Sequence, residues 1–209
     1  MINALLCVSL LASISYFTLL PGNIVLKALS VARLALIAWR KLPGRDGMLL
    51  GLALALSSLG DVLLEVSPRM FSAGLGSFLM AHLLFIALFR RNHRRPLPWT
   101  VPNKIAAGIL IAIALGFVVW LTPALGPIAP AVYTYIAAIT TMLICAVLLN
   151  LQSKWVVMGA LLFFLSDAIL ATSKFKMPVP GASWLIWPTY YLAQCGITFG
   201  FLQWKSKSN

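Results

Sequence analysis

Acidic residues are scarce in this sequence. Sixteen Lys and Arg residues stand against four Asp and Glu residues, and charged residues make up only 10% of the 209 positions. Hydrophobic residues make up 61%, and the mean hydropathy is +0.97. A soluble domain is about half apolar and about a quarter charged. The composition therefore leaves no room for a separate soluble domain and indicates a polytopic membrane protein.

Several common functional motifs are also absent. The three cysteines, Cys7, Cys145 and Cys195, lie in apolar runs without CxxC or Cys/His ligand spacing, which excludes a disulfide framework and a zinc site. The sequence has no GxSxG, no Gly-rich phosphate loop and no HExxH, so the usual hydrolase and nucleotide-binding motifs are excluded. No positively charged segment precedes the first apolar run, which we interpret as a membrane helix rather than a signal peptide.

Eight apolar runs approach the length of roughly 20 residues that a membrane-spanning helix needs. They are residues 2–20, 23–39, 47–66, 71–89, 104–121, 128–150, 154–173 and 183–204. Pro123, Pro127 and Pro130 indicate a turn between the fifth and sixth runs. The sequence therefore predicts an all-α fold: one domain over 1–209, a polytopic membrane bundle of eight transmembrane helices with short loops.

The basic residues lie mainly in loops between the apolar runs, with residues 90–95 the densest group. In that position they set membrane topology, so the net charge of +12 does not indicate nucleic-acid binding. The positive-inside rule places both termini in the cytoplasm. We expect an integral protein of the bacterial inner membrane.

This orientation brings polar residues from six predicted spans to a similar depth, nearer the non-cytoplasmic face. The shared depth predicts a polar cavity inside the bundle, since scattered structural residues have no reason to share one. The polar residues at this depth are Lys27, Asp61, Glu65, His82, Tyr133, Tyr135, Asp167, Tyr190, Tyr191 and Gln194.

Asp61 and Asp167 are the strongest candidates for catalytic residues. An ionisable side chain inside a membrane helix costs about 2.5 to 3.5 kcal/mol on insertion scales, and such residues mark functional sites by default. Ser57 and Ser58 precede Asp61 by one turn and share its face. Two carboxyl groups at a matching depth predict an acid/base pair. A structural ion pair between Asp61 and Lys27, or an interhelical hydrogen bond, is the alternative.

Two charged residues have open roles. Lys27 is interpreted as a counter-ion to Asp61, as a ligand of a substrate phosphate, or as a side chain that extends to the membrane surface. Glu65 pairs with Arg69, four residues later, or belongs to the site.

The uncharged candidates have equally open roles. His82 either forms a hydrogen bond in the bundle interior or binds substrate and relays a proton. The side chains of Tyr133, Tyr135, Tyr190, Tyr191 and Gln194 either pack and anchor the helices or bind substrate.

Four stretches in order along the chain resemble the YhhN family of membrane proteins. They are residues 59–64 (LGDVLL), 71–85 (FSAGLGSFLMAHLLF), 159–171 (GALLFFLSDAILA) and 189–194 (TYYLAQ). Lys27 is also shared, although Ala28 follows it where the family usually has proline. The animal members are lysoplasmalogenases. The resemblance implies hydrolysis of the vinyl ether of alkenyl-glycerophosphoethanolamine or -choline to a fatty aldehyde and a glycerophospho-base.

The implied reaction fits the candidate residues. Vinyl-ether hydrolysis needs a protonated carboxylic acid, and burial raises the pKa of a carboxyl group. A second, ionised carboxylate stabilises the cation and activates water, as in glycosidases. We assign these roles to Asp61 and Asp167 without choosing between them. The reaction requires no metal or cofactor, and the expected partners are a lysophospholipid and membrane lipid.

Two other functional classes remain. Buried acids, a lysine and a histidine also suit a proton-coupled transporter or a lipid-binding membrane protein. The sequence shows no inverted repeat and no matching pair of Gly/Pro-broken helices, which argues against a transporter. The third class, a non-catalytic scaffold, does not account for the shared depth of the polar residues.

Overall fold

The computed structural model describes residues 24–92, 100–148 and 153–206, together with Ser9, Leu11 and Ser13. Over these residues the chain is helical, which confirms the predicted all-α class. The α-helices are α1 (Ile24–Lys41), α2 (Gly44–Val66), α3 (Phe71–Arg91), α4 (Val101–Leu125), α5 (Ala129–Leu148), α6 (Lys154–Ala171) and α7 (Ala182–Ser206).

The predicted count of eight membrane spans is not confirmed. Helices α1 to α7 match the second to eighth predicted spans, and apart from Ser9, Leu11 and Ser13 the first span lies outside the described residues. Four described stretches are long and apolar enough to cross a membrane: Gly44–Val66, Pro68–Arg91, Val101–Leu148 and Lys154–Lys176. Val101–Leu148 contains both α4 and α5. The chain is an integral membrane protein.

The sequence of α1 explains why it is not among the four stretches that are long and apolar enough to cross a membrane. This 18-residue helix contains four basic residues, two of which form its C-terminal end. Each charge lowers the mean hydropathy of the segment and is costly in the bilayer. Partners inside the protein or a position near the membrane surface are therefore needed to accommodate them.

The turn predicted at the three prolines is shorter than the sequence indicated. Pro123 lies inside α4, which continues to Leu125 before a single 3-10 turn, Gly126–Ile128. Gly126 has a φ of 53°, a left-handed conformation that a residue with a side chain rarely adopts. Pro127 lies in the 3-10 turn and Pro130 in the first turn of α5, where a proline removes no intrahelical hydrogen bond.

The Cα positions form two compact units, Met1–Leu88 and Phe89–Asn209, and each is described by itself. The prediction of a single domain over 1–209 stays a prediction.

In the first unit, α2 contacts both α1 and α3. The Ser58 hydroxyl on α2 donates to the Ala28 carbonyl on α1 at 2.8 Å. Ser77 on α3 donates to the Leu56 carbonyl on α2 at 2.7 Å. These interhelical hydrogen bonds satisfy polar groups that would be costly in an apolar interior. They hold the second half of α2, where Asp61 lies, against both neighbours.

In the second unit, glycine allows α6 and α7 to approach each other closely. A Cβ on Gly159 would lie 2.7 Å from the Ala193 carbonyl oxygen and 2.7 Å from the Ile197 nitrogen. Gly196 on α7 is close to the backbone of Gly159, with 3.2 Å from its Cβ position to the Gly159 Cα. The two backbones are thus in contact, as small residues permit at membrane helix interfaces. This packing fixes the register between Asp167 on α6 and the polar residues of α7.

Candidate active site

A lysine lies between two carboxyl groups in the first unit. The Lys27 Nζ donates to Glu65 Oε1 at 2.7 Å, and it lies 3.7 Å from Asp61 Oδ1. Asp61 and Glu65 are four residues apart on α2, so both side chains lie on one face and reach α1 together. We call Lys27, Asp61 and Glu65 the lysine–carboxylate cluster.

The lysine–carboxylate cluster is largely shielded from solvent. The side chain of Asp61 is 4% exposed, that of Lys27 14% and that of Glu65 23%. With all three groups ionised the cluster carries one net negative charge. It becomes neutral when one of the two carboxyl groups holds a proton. A buried cluster of this composition is therefore suited to binding and releasing a proton.

The predicted neighbours of Asp61 use their hydroxyl hydrogens elsewhere. Ser57 donates to the Ala53 carbonyl at 2.9 Å, and Ser58 donates to the Ala28 carbonyl. A hydroxyl has one hydrogen to donate. Ser57 therefore bonds within α2, Ser58 joins α2 to α1, and the lysine supplies positive charge to Asp61. This geometry contains the ion pair that the sequence left as the structural alternative.

His82 lies on the side of α3 that contacts α2. It is fully buried, and it follows Phe78 by one helical turn. The Phe78 ring is the side chain that a Cβ on Gly60 would meet, at 2.6 Å. Because Gly60 directly precedes Asp61, the first unit brings a histidine and the lysine–carboxylate cluster to the same pair of helices.

A second carboxyl group forms a short hydrogen bond in the second unit. The Tyr135 hydroxyl on α5 donates to Asp167 Oδ2 on α6 at 2.5 Å. Tyr135 is 8% exposed. Hydroxyl-to-carboxylate hydrogen bonds are about 2.5 to 2.7 Å long, shorter than neutral ones. The bond therefore joins α5 to α6 at the Asp167 carboxyl group.

An aromatic cluster links α6 and α7 near Asp167. The Tyr190 ring meets the Phe163 ring edge to face at 5.4 Å, and Phe163 precedes Asp167 by one turn. Trp187 stacks on Tyr191 at 5.8 Å. Tyr190 and Tyr191 are both buried. The packing role that the sequence left open for these two tyrosines is thus present, and their role toward substrate stays a prediction.

Gln194 is a buried polar residue on α7. Its side chain is fully buried, and neither Nε2 nor Oε1 has a hydrogen-bond partner among the described residues. Thr198, one turn later on α7, is also buried, and its Oγ1 has no hydrogen-bond partner in the described part of the chain. An unpaired buried polar group costs about 1 to 3 kcal/mol. A polar ligand or water on this face would remove that cost.

The described residues contain no group of three or more His, Cys, Asp or Glu side chains placed to hold a metal ion. Asp61 and Asp167 belong to different compact units. Their pairing therefore stays a prediction.

Comparison with known sequences identifies the family. A sequence model of the YhhN family matches residues 22–201. The chain belongs to the YhhN family. The resemblance carried by residues 59–64, 71–85, 159–171 and 189–194 is thereby confirmed.

Two curated relatives share most of this YhhN chain. It is 34% identical over 163 residues to a lysoplasmalogenase from Mycobacterium bovis, which covers 76% of the chain and 62% of the relative. It is 33% identical over 184 residues to lysoplasmalogenase TMEM86B from Homo sapiens, covering 86% of the chain and 75% of the relative. The chain thus spans less than two thirds of the mycobacterial relative's length. No solved structure matches.

The structure gives different partners to the two tyrosines of α5, which the sequence placed at the same depth. The Tyr133 hydroxyl forms a 2.9 Å hydrogen bond with Thr122, at the exposed side of α4. Residues two positions apart on a helix are separated by about 200° around its axis, so Tyr133 and Tyr135 point to different sides. Tyr135 is the residue that reaches Asp167 in this YhhN protein. Because α5 is apolar nearly all round, hydrophobic periodicity gave no signal to separate them.

Glu65 also has a partner that sequence spacing did not favour. The spacing of four residues pointed to Arg69, whereas the structure pairs Glu65 with Lys27 on the neighbouring helix. The pair joins residues 38 positions apart, so only the packing of α1 on α2 reveals it.

Proposed function

We propose that this protein hydrolyses the vinyl-ether bond of a lysoplasmalogen, giving a fatty aldehyde and a glycerophosphoethanolamine or glycerophosphocholine. The substrate class follows from membership of the YhhN family and from relatives named lysoplasmalogenase. One observation carries the mechanism: Asp61 is buried beside a lysine that it shares with a second carboxyl group.

The reaction begins with proton transfer to carbon. The acid gives its proton to the β-carbon of the vinyl ether, the double-bond electrons form the new C–H bond, and an oxocarbenium ion results. Water adds to the α-carbon while a carboxylate takes its proton, which gives a hemiacetal. The hemiacetal C–O bond to glycerol then breaks as the protonated carboxyl group gives its proton to the glycerol oxygen and the other carboxylate takes the hemiacetal hydroxyl proton, and the aldehyde leaves. General acid and base groups contribute typically about 10²- to 10⁴-fold each to such steps.

Asp61 is the proposed acid. Glu65 has the shorter contact with the Lys27 ammonium, 2.7 Å against 3.7 Å for Asp61. In the neutral form of the cluster, Lys27 and Glu65 form the ion pair and Asp61 carries the proton. Once Asp61 has given up its proton, the nearby ammonium stabilises the carboxylate that remains. Lys27 thus acts as counter-ion rather than as a phosphate ligand.

Asp167 is the proposed second carboxylate. It accepts a hydrogen bond from Tyr135 at 2.5 Å. An ionised carboxylate stabilises the oxocarbenium ion and takes a proton from water, as in glycosidases. That Asp61 and Asp167 act on the same substrate is part of the proposal.

The remaining residues are proposed to bind substrate. Gln194 has amide donors and an acceptor that are unused among the described residues, as a ligand of the ether oxygen or of water would have. His82, Tyr190 and Tyr191 are buried on helices that carry the acidic residues or pack against them. Burial excludes bulk water, which would otherwise compete for the cation.

The test measures aldehyde released from lysoplasmalogen by detergent-purified wild type, Asp61→Asn and Asp167→Asn. Asp46→Asn is the matched control, because Asp46 lies in the first turn of the same helix as Asp61, about 22 Å away along the axis. We expect release by wild type and Asp46→Asn, and a loss of at least about 10²-fold in the other two. Near-normal release by either variant would remove that residue from the mechanism.

A second candidate function is a proton-coupled transporter or a lipid-binding protein. The observation in its favour is again the buried lysine–carboxylate cluster, since such clusters also carry protons across membranes. The same assay separates the classes, because a transporter in detergent leaves lysoplasmalogen intact. Substrate uptake into sealed proteoliposomes, without aldehyde release, would favour transport.

The membrane setting is part of the proposal. The basic loops favour the bacterial inner membrane with both termini in the cytoplasm. Reporter fusions to each terminus test this topology, and activity of a periplasmic reporter at either end would contradict it.

A further inference from the structure

We infer that Tyr135 is a positioning residue that fixes the Asp167 carboxylate for the reaction, an inference that rests on the proposed function. Its hydroxyl donates to Asp167 Oδ2 at 2.5 Å from a different helix. The sequence placed Tyr135 at the depth of the predicted cavity, and this contact gives it a defined partner.

The hydrogen bond restricts the orientation of the carboxylate. The χ2 torsion of aspartate is broad and roughly two-fold, so the side chain by itself does not fix the plane of its oxygens. A short bond to Oδ2 fixes that plane and thereby directs Oδ1. A carboxylate that must meet both a cation and a water molecule benefits from such positioning, since misplacement by about 1 Å can cost about 10²-fold in rate.

Tyr135 is itself well held. It is buried among apolar residues of α5, with Ile136, Ala138 and Ile139 also buried. A tyrosine has few rotatable bonds, so it supplies a donor at low entropic cost. A buried phenol usually finds a hydrogen-bond partner, and here that partner is a proposed catalytic group.

The decisive experiment is a double-mutant cycle between Tyr135→Phe and Asp167→Asn, with aldehyde release as the readout. Tyr135→Phe removes the hydroxyl and keeps the ring. Hydrogen bonds to charged groups are worth enough that we expect kcat to fall by about tenfold to a hundredfold, with KM unchanged. In the Asp167→Asn background, the second substitution should reduce the residual rate no further.

Thr134→Val is the matched control. Thr134 is adjacent to Tyr135, is exposed, and donates its hydroxyl to the Pro130 carbonyl one turn earlier. Replacing it removes one hydroxyl from the same helix at nearly constant volume, and kcat should not change.

If wild type and Thr134→Val release aldehyde, three outcomes would overturn this inference and leave the proposed function standing. The first is a normal kcat for Tyr135→Phe. The second is an equal fall in rate in both backgrounds, which would mean that the hydroxyl acts independently of Asp167. The third is failure of Tyr135→Phe to fold while Asp167→Asn folds, which would give the hydroxyl a structural role. Absence of release by wild type would instead refute the proposed function and this inference with it.

Discussion

Replacing Gly60 with alanine tests the packing that positions Asp61. A Cβ at this position would lie 2.6 Å from two carbons of the Phe78 ring. Those atoms, Cδ2 and Cε2, belong to a rigid ring that is 6% exposed, so the ring or its helix must move. Gly60 therefore marks a close contact between α2 and α3, directly beside the proposed acid.

The expected magnitude follows from two opposing effects. Forcing a methyl group into a packed interface costs typically about 1 to 3 kcal/mol. Alanine is favoured over glycine inside a helix by about 0.8 to 1.0 kcal/mol. The net effect of Gly60→Ala is thus a loss of up to about 2 kcal/mol. The matched control is Gly76→Ala on α3, where a Cβ meets nothing within 4 Å. Only the stabilisation from the higher helix propensity of alanine remains there.

The assay is thermal unfolding of both variants in the same detergent. One kcal/mol shifts the midpoint by about 2 to 4 °C in a chain of this size. We expect Gly60→Ala to unfold several degrees below Gly76→Ala and to lose aldehyde-releasing activity per folded molecule. Equal midpoints with unchanged activity would refute the reasoning that Gly60 sets the position of Asp61.

Three further substitutions test other contacts by the same unfolding measurement. Gly159→Ala should destabilise the protein by about 1 to 3 kcal/mol, because its Cβ meets backbone atoms of α7. The control is Gly116→Ala, whose Cβ meets nothing within 4 Å. Equal effects of the two substitutions would contradict the close α6–α7 packing. Ser77→Ala should lower the free energy of unfolding by about 0.6 kcal/mol, because it removes an interhelical hydrogen bond. The control Ser72→Ala, at an exposed position, should not change it. Equal losses would contradict the hydrogen bond of Ser77. Lys27→Met should cost about 3 kcal/mol by leaving two carboxyl groups without their cation, and Lys27→Arg less; a neutral Met variant would contradict the ion pairs.

The arrangement of the site was only partly accessible to sequence reasoning. Asp61 and Asp167 stood out because charge is scarce and costly in apolar helices. The counter-ion role of Lys27 was only one of several interpretations, and the bond from Tyr135 was not predicted, since both residues approach from other helices, 34 and 32 positions away. Contacts at such separations depend on how helices rotate and pack. Uniformly apolar helices leave little periodic signal for that rotation.

What the sequence by itself determined is the class of protein and its family. Hydrophobic composition and run length fixed an all-helical membrane chain, and four short stretches identified it as a YhhN protein. The tertiary structure alone decided that Glu65 takes Lys27 and that Tyr135, rather than Tyr133, binds Asp167. The physical reason is that the side chains of a membrane helix are mostly apolar both where they face lipid and where they face other helices. Its buried face is therefore chosen by small residues and interhelical hydrogen bonds that appear only when the helices are packed together.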